Sequence, residues 1–450
     1  MGHGIKARRG WPWLALCLVW VLGVPVPSSG QERLSLPQAV QMALERNRHL
    51  ANARLETEKA TDQTAAARTH YLPKFNVVAL GDQRVYPRGT SLGDTALGIF
   101  PPFGLLPAQS SGDANDPFLV GLFQISQPLS QLHRARQGVK LAEAAQELSQ
   151  AELRLARHQL VAQVKKLYYA LSQGQATLEA ARQALVLHQE VARLSQDHYA
   201  KGLMLEAEHL EVSARLAKAQ YQMQAQQANL ASLKEQLNHL LGRSPDHGFE
   251  PELVAEEAPA SEEAAPLAAR PAARQPETQA ARQRLEVARR DLGYKQAERL
   301  PELSLVGSHV TQKNLPGLPE NVSSVGLMLT WEPFDWGRDA REAAAKARAV
   351  RQAENQLEET QRQAELDVRQ EARRVGLARR MLGASRLAVE AAQEKTRVVL
   401  NRFGLQAALV KDLTEAQAVL AEAQRDHAQA LAAYWSARAD LEKARGEDGP

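Results

Sequence analysis

The chain of 450 residues has a single cysteine and few aromatics: Phe, Trp and Tyr make up 5% of it, against 44% hydrophobic residues in all. A hydrophobic share of that size with so little aromatic bulk suits Ala- and Leu-rich helices better than a large globular core. The cysteine, Cys17, lies in a segment with the order of a secretory signal peptide. Lys6, Arg8 and Arg9 precede an apolar run from Trp11 to Val24, Pro25 and Pro27 break the run, and Ser28, Ser29 and Gly30 follow. That run is too short to cross a bilayer comfortably as a permanent helix, and cleavage near Gly30 is expected. Leu16 and the continuing apolar run speak against lipidation of Cys17. The processed chain then has no thiol, which excludes disulfides, a thiolate nucleophile and thiolate metal ligands.

An excess of charge of one sign is lacking as well. The formal net charge of +3 belongs to Lys6, Arg8 and Arg9, and without them the basic side chains match the 52 acidic ones. No net basic field remains to attract nucleic acid. Beyond Val24 there is no apolar stretch long enough for a membrane helix, so an exported chain that enters a membrane must do so as strands. Phosphate-binding glycine loops, nucleophile motifs and metal-ligand spacings are also missing. His49, His70, His158, His188 and His427 fall singly on helical stretches, where packing or surface roles outweigh ligation. Catalysis and a bound cofactor are therefore not expected.

What is present is a duplication. Tyr71-Leu72-Pro73 resembles Arg299-Leu300-Pro301. Val120-Gly121-Leu122 with Gln127-Pro128-Leu129 resembles Val325-Gly326-Leu327 with Glu332-Pro333-Phe334. His198-Tyr199 with Glu208 resembles Arg402-Phe403 with Asp412. The anchors recur in one order at nearly one spacing, so the chain divides into a signal segment (1–30), a first repeat (31–242), a Pro/Ala/Glu-rich linker (243–276) and a second repeat (277–445). About two dozen extra residues in the first copy fall in the Gly-, Pro-, Ser- and Asp-rich stretch from Gly81 to Pro117, read as a long loop.

Each copy reads helix, strand, loop, strand and long helical hairpin. After Pro128 about seventy residues carry no proline. Leu153, Leu160, Val164, Leu167 and Leu171 follow steps of seven, or of four and three, as a coiled-coil seam does. Leu216, Met223, Leu230, Leu233, Leu237 and Leu240 repeat this on the returning helix. The expected long helices span 130–199, 206–241, 338–403 and 408–444. The expected strands span 74–85, 118–127, 302–311 and 322–332. Val325, Leu327, Leu329 and Trp331 alternate with Ser324, Gly326, Met328 and Thr330, a period of two. Each strand is near the length that crosses a bilayer when tilted. Four strands cannot stand alone in lipid, because their open edges would leave backbone groups unpaired.

Leu34 to Asn47, Tyr71-Leu72-Pro73-Lys74-Phe75, Leu237-Asn238-His239-Leu240-Leu241-Gly242 and Leu329-Thr330-Trp331-Glu332-Pro333-Phe334-Asp335-Trp336-Gly337 resemble, in order, segments of TolC-like outer-membrane efflux proteins. The resemblance covers nearly all of the chain after residue 30. It implies a mainly α fold with a small transmembrane β part, in which a homotrimer closes a twelve-stranded barrel continued by an α-helical barrel. It implies further an outer membrane location, contact with lipid, and an inner-membrane pump and periplasmic adaptor as partners. Tyr199, Gly202, Arg402, Phe403 and Gly404 match the family's tip turns, where adaptors engage. Glu208, Asp412 and Glu415 match its acidic gate positions, although Gln406 stands where the second tip usually has Gly and His198 where the first has Arg. Asp412 and Glu415, three apart, share a helix face, and threefold symmetry would bring them into a carboxylate ring. Trp331 and Trp336 suit a membrane-interface girdle, with packing under the rim as the alternative. A periplasmic coiled-coil adaptor or scaffold is the competing reading. It explains the helices and the export signal but leaves the alternating strands unexplained.

Overall fold

The computed structural model describes residues 32–82, 97–100, 104–107, 118–202, 204–252, 275–313, 319–404, 407 and 410–447. The signal segment and Gln406 lie outside these residues. In chain order the elements are β1 (Glu32–Leu34), α1 (Leu36–Arg46), α2 (Arg48–Arg68), β2 (Lys74–Asp82), β3 (Leu97–Phe100), β4 (Gly104–Pro107), β5 (Phe118–Pro128), α3 (Leu132–Ala200) and α4 (Glu206–Leu240). After them come β6 (Phe249–Pro251), α5 (Pro276–Ala297), β7 (Glu302–Lys313), β8 (Asn321–Thr330), α6 (Arg338–Gly404) and α7 (Val410–Arg445).

β2, β5, β7 and β8 form one antiparallel sheet in that order, with β2 and β8 at its two edges. Its two faces differ. On β8, Val325, Leu327 and Leu329 stand exposed on one face, opposite Gly307, Leu305 and Leu303 of β7. On the other face Ser324 meets Ser308, their hydroxyls 2.7 Å apart. One face is thus built for an apolar surrounding and the other tolerates polar groups.

The helices below the sheet keep the order of the strands. α2 runs into β2, α3 leaves β5, α5 runs into β7 and α6 leaves β8, and the neighbouring pairs are α2–α3, α3–α5 and α5–α6. Farther from the sheet the neighbours become α4–α3, α3–α7 and α7–α6. The 69 residues of α3 and the 67 of α6 run through both levels, each on the order of 100 Å at 1.5 Å per residue. The molecule is therefore a tall wall, one strand or helix thick, with β2, α2 and α4 along one flank and β8 and α6 along the other.

Its core sits where the two levels meet. Val164, Leu171, Leu237, Leu241 and Phe249 are fully buried there, each contributing roughly 1.5–3 kcal/mol by leaving water. The seam leucines of α3 and α4 supply this packing. α4 ends in a Schellman turn, in which the Arg243 N–H donates to the Asn238 carbonyl at 2.9 Å and the Gly242 N–H to that of His239 at 3.2 Å. Gly242 has φ +67°, and a Cβ on it would lie 2.6 Å from the Arg46 carbonyl oxygen, so no other residue fits. Asn47, between α1 and α2, accepts from the His49 and Leu50 N–H groups and donates to the Leu240 carbonyl.

The structure departs from the sequence reading in two places. The stretch 243–276 was expected to be linker throughout, yet Phe249–Pro251 pairs in parallel with Glu32–Leu34. Phe249 fills the core and Arg243 and His247 hold Glu32. The hydrogen bonds from Arg243, then His247, keep the Glu32 carboxyl below its ordinary range. A three-residue strand is too short to show a period. Within the expected loop from Gly81 to Pro117, β3 and β4 form a two-stranded antiparallel pair.

Ion pairs tie neighbouring helices together: Arg68–Glu143 across α2–α3, Arg284–Glu152 across α3–α5, and Lys346–Asp291 across α5–α6. These are exposed and worth little singly. Lys165–Glu442 across α3–α7, at 2.7 Å, is more enclosed and joins the two repeats.

Candidate functional site at the hairpin tips

α3 and α4 meet at one turn and α6 and α7 at another, both at the end of the wall far from the sheet. In the first tip Gly202 takes φ +69° and its N–H donates to the Tyr199 carbonyl at 2.9 Å. A Cβ there would meet nothing, so the demand for glycine is purely conformational. The turn is clasped from within. The Tyr199 ring stacks on His209 at 5.0 Å, and the buried Ser195 hydroxyl lies 3.1 Å from His209 Nδ1 and 3.0 Å from Met204 Sδ. Glu208 is exposed, and its carboxylate accepts from the Leu205 N–H at 3.3 Å. It therefore caps the first turn of α4, where a negative charge also meets the positive end of the helix dipole.

The second tip is built differently. The Ala407 N–H donates to the Arg402 carbonyl at 2.8 Å, and Arg402 is exposed. Gly404 is the last residue of α6, while the Phe403 side chain lies outside the described residues. Asp412 and Glu415 both stand exposed near the start of α7, and Asp412 lies in its first turn. Just above them Thr396 Oγ1 bonds the Ala416 carbonyl at 3.1 Å, fixing α6 to α7. The structure thus places the three carboxylates on two different hairpins, with Glu208 at the cap of α4 and Asp412 and Glu415 exposed near the start of α7.

At the opposite end the rim of the sheet carries the two tryptophans. Trp336 has φ +57° and is 86% exposed, with its ring edge-on to Phe334 at 4.8 Å. Trp331 is exposed as well. Asp335 organises this turn by accepting from the Gly337 N–H at 2.9 Å and the Asp339 N–H at 2.7 Å, and these bonds lower its pKa. Just below the rim, Lys295 is held by Glu298, Glu342 and Asp339, which raise its pKa despite some desolvation.

The clasp of Ser195, Tyr199, Met204 and His209 was not foreseen. Serine and histidine fourteen positions apart meet only because the turn folds α4 back on α3, and nothing in their spacing announces it. Among the described residues no group of three or more His, Cys, Asp or Glu could hold a metal ion, and no helix is long and apolar enough to cross a membrane.

A membrane-suited sheet of four strands with two open edges, set on a helical wall about 100 Å tall, is the architecture of an outer-membrane protein. The family model described as "Outer membrane efflux protein" matches residues 39–243 and 268–447, and the chain belongs to that family. It is thus an outer-membrane protein, which sets aside the adaptor reading. It is 26% identical over 330 residues to the outer membrane protein OprJ of Pseudomonas aeruginosa, a match that takes in 70% of this chain but only 63% of OprJ. Its fold is that of the outer membrane protein VceC of Vibrio cholerae (TM-score 0.72, 18% identity, 92% of this chain and 96% of that one). It is equally that of the CmeC outer membrane channel of Campylobacter jejuni (TM-score 0.74, 16% identity, 91% and 85%). The MtrE outer membrane channel of Neisseria gonorrhoeae, in its open state, is similar at a TM-score of 0.68 and 20% identity, over 92% and 89%.

Proposed function

We propose that three copies of this chain close into one duct, a twelve-stranded barrel continued by a helical tunnel. Through it an inner-membrane pump and a periplasmic adaptor expel their cargo across the outer membrane. The observation that carries this reading is the pair of open edges. β2 and β8 run antiparallel to each other across the sheet, so β8 of one copy can pair with β2 of the next in the same antiparallel sense. Without that closure their backbone groups would face hydrocarbon unsatisfied, at several kcal/mol each. The duct is passive, and the energy comes from the pump.

The tips form the periplasmic end. Asp412 and Glu415, two from each subunit's α7 and six in the trimer, ring the pore there and favour cations while narrowing it. Tyr199, Gly202, Arg402, Phe403 and Gly404 shape the turns that an adaptor engages, and Trp331 and Trp336 rest at the membrane interface. Purified protein in detergent should have the mass of a trimer and should conduct in planar bilayers. A monomer without conductance would overturn the reading.

A further inference from the structure

The clasp inside the first tip gathers three donor atoms of different kinds. The Ser195 side chain is buried, and its hydroxyl lies 3.0 Å from Met204 Sδ and 3.1 Å from His209 Nδ1. A thioether sulfur and an imidazole nitrogen therefore meet at a single oxygen. That hydroxyl has one hydrogen to give. Given to the sulfur, it leaves Nδ1 to supply its own proton; given to Nδ1, it leaves the sulfur lone pairs with nothing.

Closing the turn does not demand these atoms. In step with the match of Tyr199 to Phe403, the second repeat carries Val399, Ala408 and Leu413 where the first has Ser195, Met204 and His209. A hairpin of the same plan thus ends there with no side-chain donor or acceptor at the three positions. The trio is an addition peculiar to the first tip, and packing alone does not account for its chemistry. Thioether sulfur is a soft ligand that selects monovalent copper-like ions, and imidazole suits them too, whereas hard divalent ions prefer carboxylate and carbonyl oxygen. Met204 and His209 are half-buried and the neighbouring Tyr199 is exposed, so an ion can reach the sulfur and the nitrogen from solvent.

We infer that Met204 Sδ and His209 Nδ1 form a site for a soft monovalent cation, Cu(I) or Ag(I), at the first tip. The ion takes one lone pair from each atom. The ring keeps its single proton on Nε2, so the imidazole stays neutral, and the Ser195 hydroxyl is released from both partners. Met204 belongs to the turn and His209 to the first turns of α4, so a bound ion fastens the turn that holds the exposed Lys201 and Gly202. One chain supplies both ligands, and the site stands whether or not three copies close a duct.

The test is calorimetric titration of the purified, signal-free protein in detergent with silver nitrate in chloride-free buffer. One Ag(I) should bind per chain, at least about tenfold more tightly than Zn(II). Met204→Leu and His209→Gln should each abolish that binding, and Met381→Leu, which removes an exposed thioether elsewhere, should leave it intact. In parallel, Ag(I) should slow tryptic cleavage after Lys201 in the parent and not in Met204→Leu. Circular dichroism of each variant shows whether it has folded, and two independent ligand variants guard against the failure of one. A folded Met204→Leu protein that binds Ag(I) as the parent does, or a parent that takes Zn(II) equally well, overturns the site.

Discussion

Tyr168 shows how much a single side chain contributes to this wall. It is 1% exposed, and its hydroxyl lies 2.8 Å from both the Leu34 and the Glu252 carbonyl oxygens. One proton serves two acceptors, one at the end of β1 and one just past β6, so a residue of α3 fastens the short parallel pair to the core. Burial pushes the Tyr168 pKa up to about 12, and the hydroxyl stays protonated as the donor it must be. Tyr168→Phe keeps the ring and removes the donor, leaving two enclosed carbonyls without it. The expected cost is about 1–2 kcal/mol, read as a lower melting temperature in detergent and earlier proteolysis between residues 243 and 252. A variant as stable and as resistant as the parent would show that the hydroxyl holds nothing. Glu32 works nearby in the same sense. Arg243 and His247 lower its pKa, so the stability it adds is present above the ordinary glutamate range and fades as pH falls through the lowered value.

At the scale of elements, the two hairpins descend from one duplicated plan and yet end differently. The first tip is closed by Tyr199, His209 and Ser195, whereas the second has Val399 in the place that corresponds to Ser195. The second tip also carries the pair of exposed acids. Asp412 at the start of α7 gains about 0.3–1 kcal/mol from the helix dipole whatever its function, so its position alone does not argue for a gate. The gate hypothesis is tested by charge. Asp412→Ala with Glu415→Ala should raise conductance or lower cation selectivity, and Asp412→Asn with Glu415→Gln should do the same, because charge and not bulk is removed. Unchanged currents in both would end the assignment.

The elements also differ in how far the sequence announced them. The long helices were legible because Leu160, Val164 and Leu171 keep a seam that the fold buries. β8 was legible because Val325, Leu327 and Leu329 alternate with Ser324, Gly326, Met328 and Thr330, three of them small or polar. β2 was less so, since Val77 and Val78 are apolar on both faces. β1 and β6 left no trace. Three residues show no periodicity, and their partners are more than two hundred positions apart. Of the tip, the acids at i and i+3 were singled out by the family resemblance, while the Ser195–His209 contact depends on a turn that spacing does not encode.

For the whole molecule, the decisive asymmetry is between the two faces of the sheet, because a duct must show hydrocarbon one and water the other. Leu327 and Ser324 lie on the same edge strand, three residues apart, on opposite faces. If the Val325–Leu329 face meets lipid, Leu327→Arg places a guanidinium in hydrocarbon at about 2–4 kcal/mol near the midplane. Threefold assembly applies that cost three times over. The variant should then fail to appear as a trimer in the outer-membrane fraction. Ser324→Arg gives up only its hydrogen bond to Ser308 and holds its charge in the water of the lumen, so it should assemble normally and shift the channel towards anions. Equal insertion of the two variants would mean that this sheet does not divide lipid from water, and the barrel would have to be abandoned along with the duct built on it.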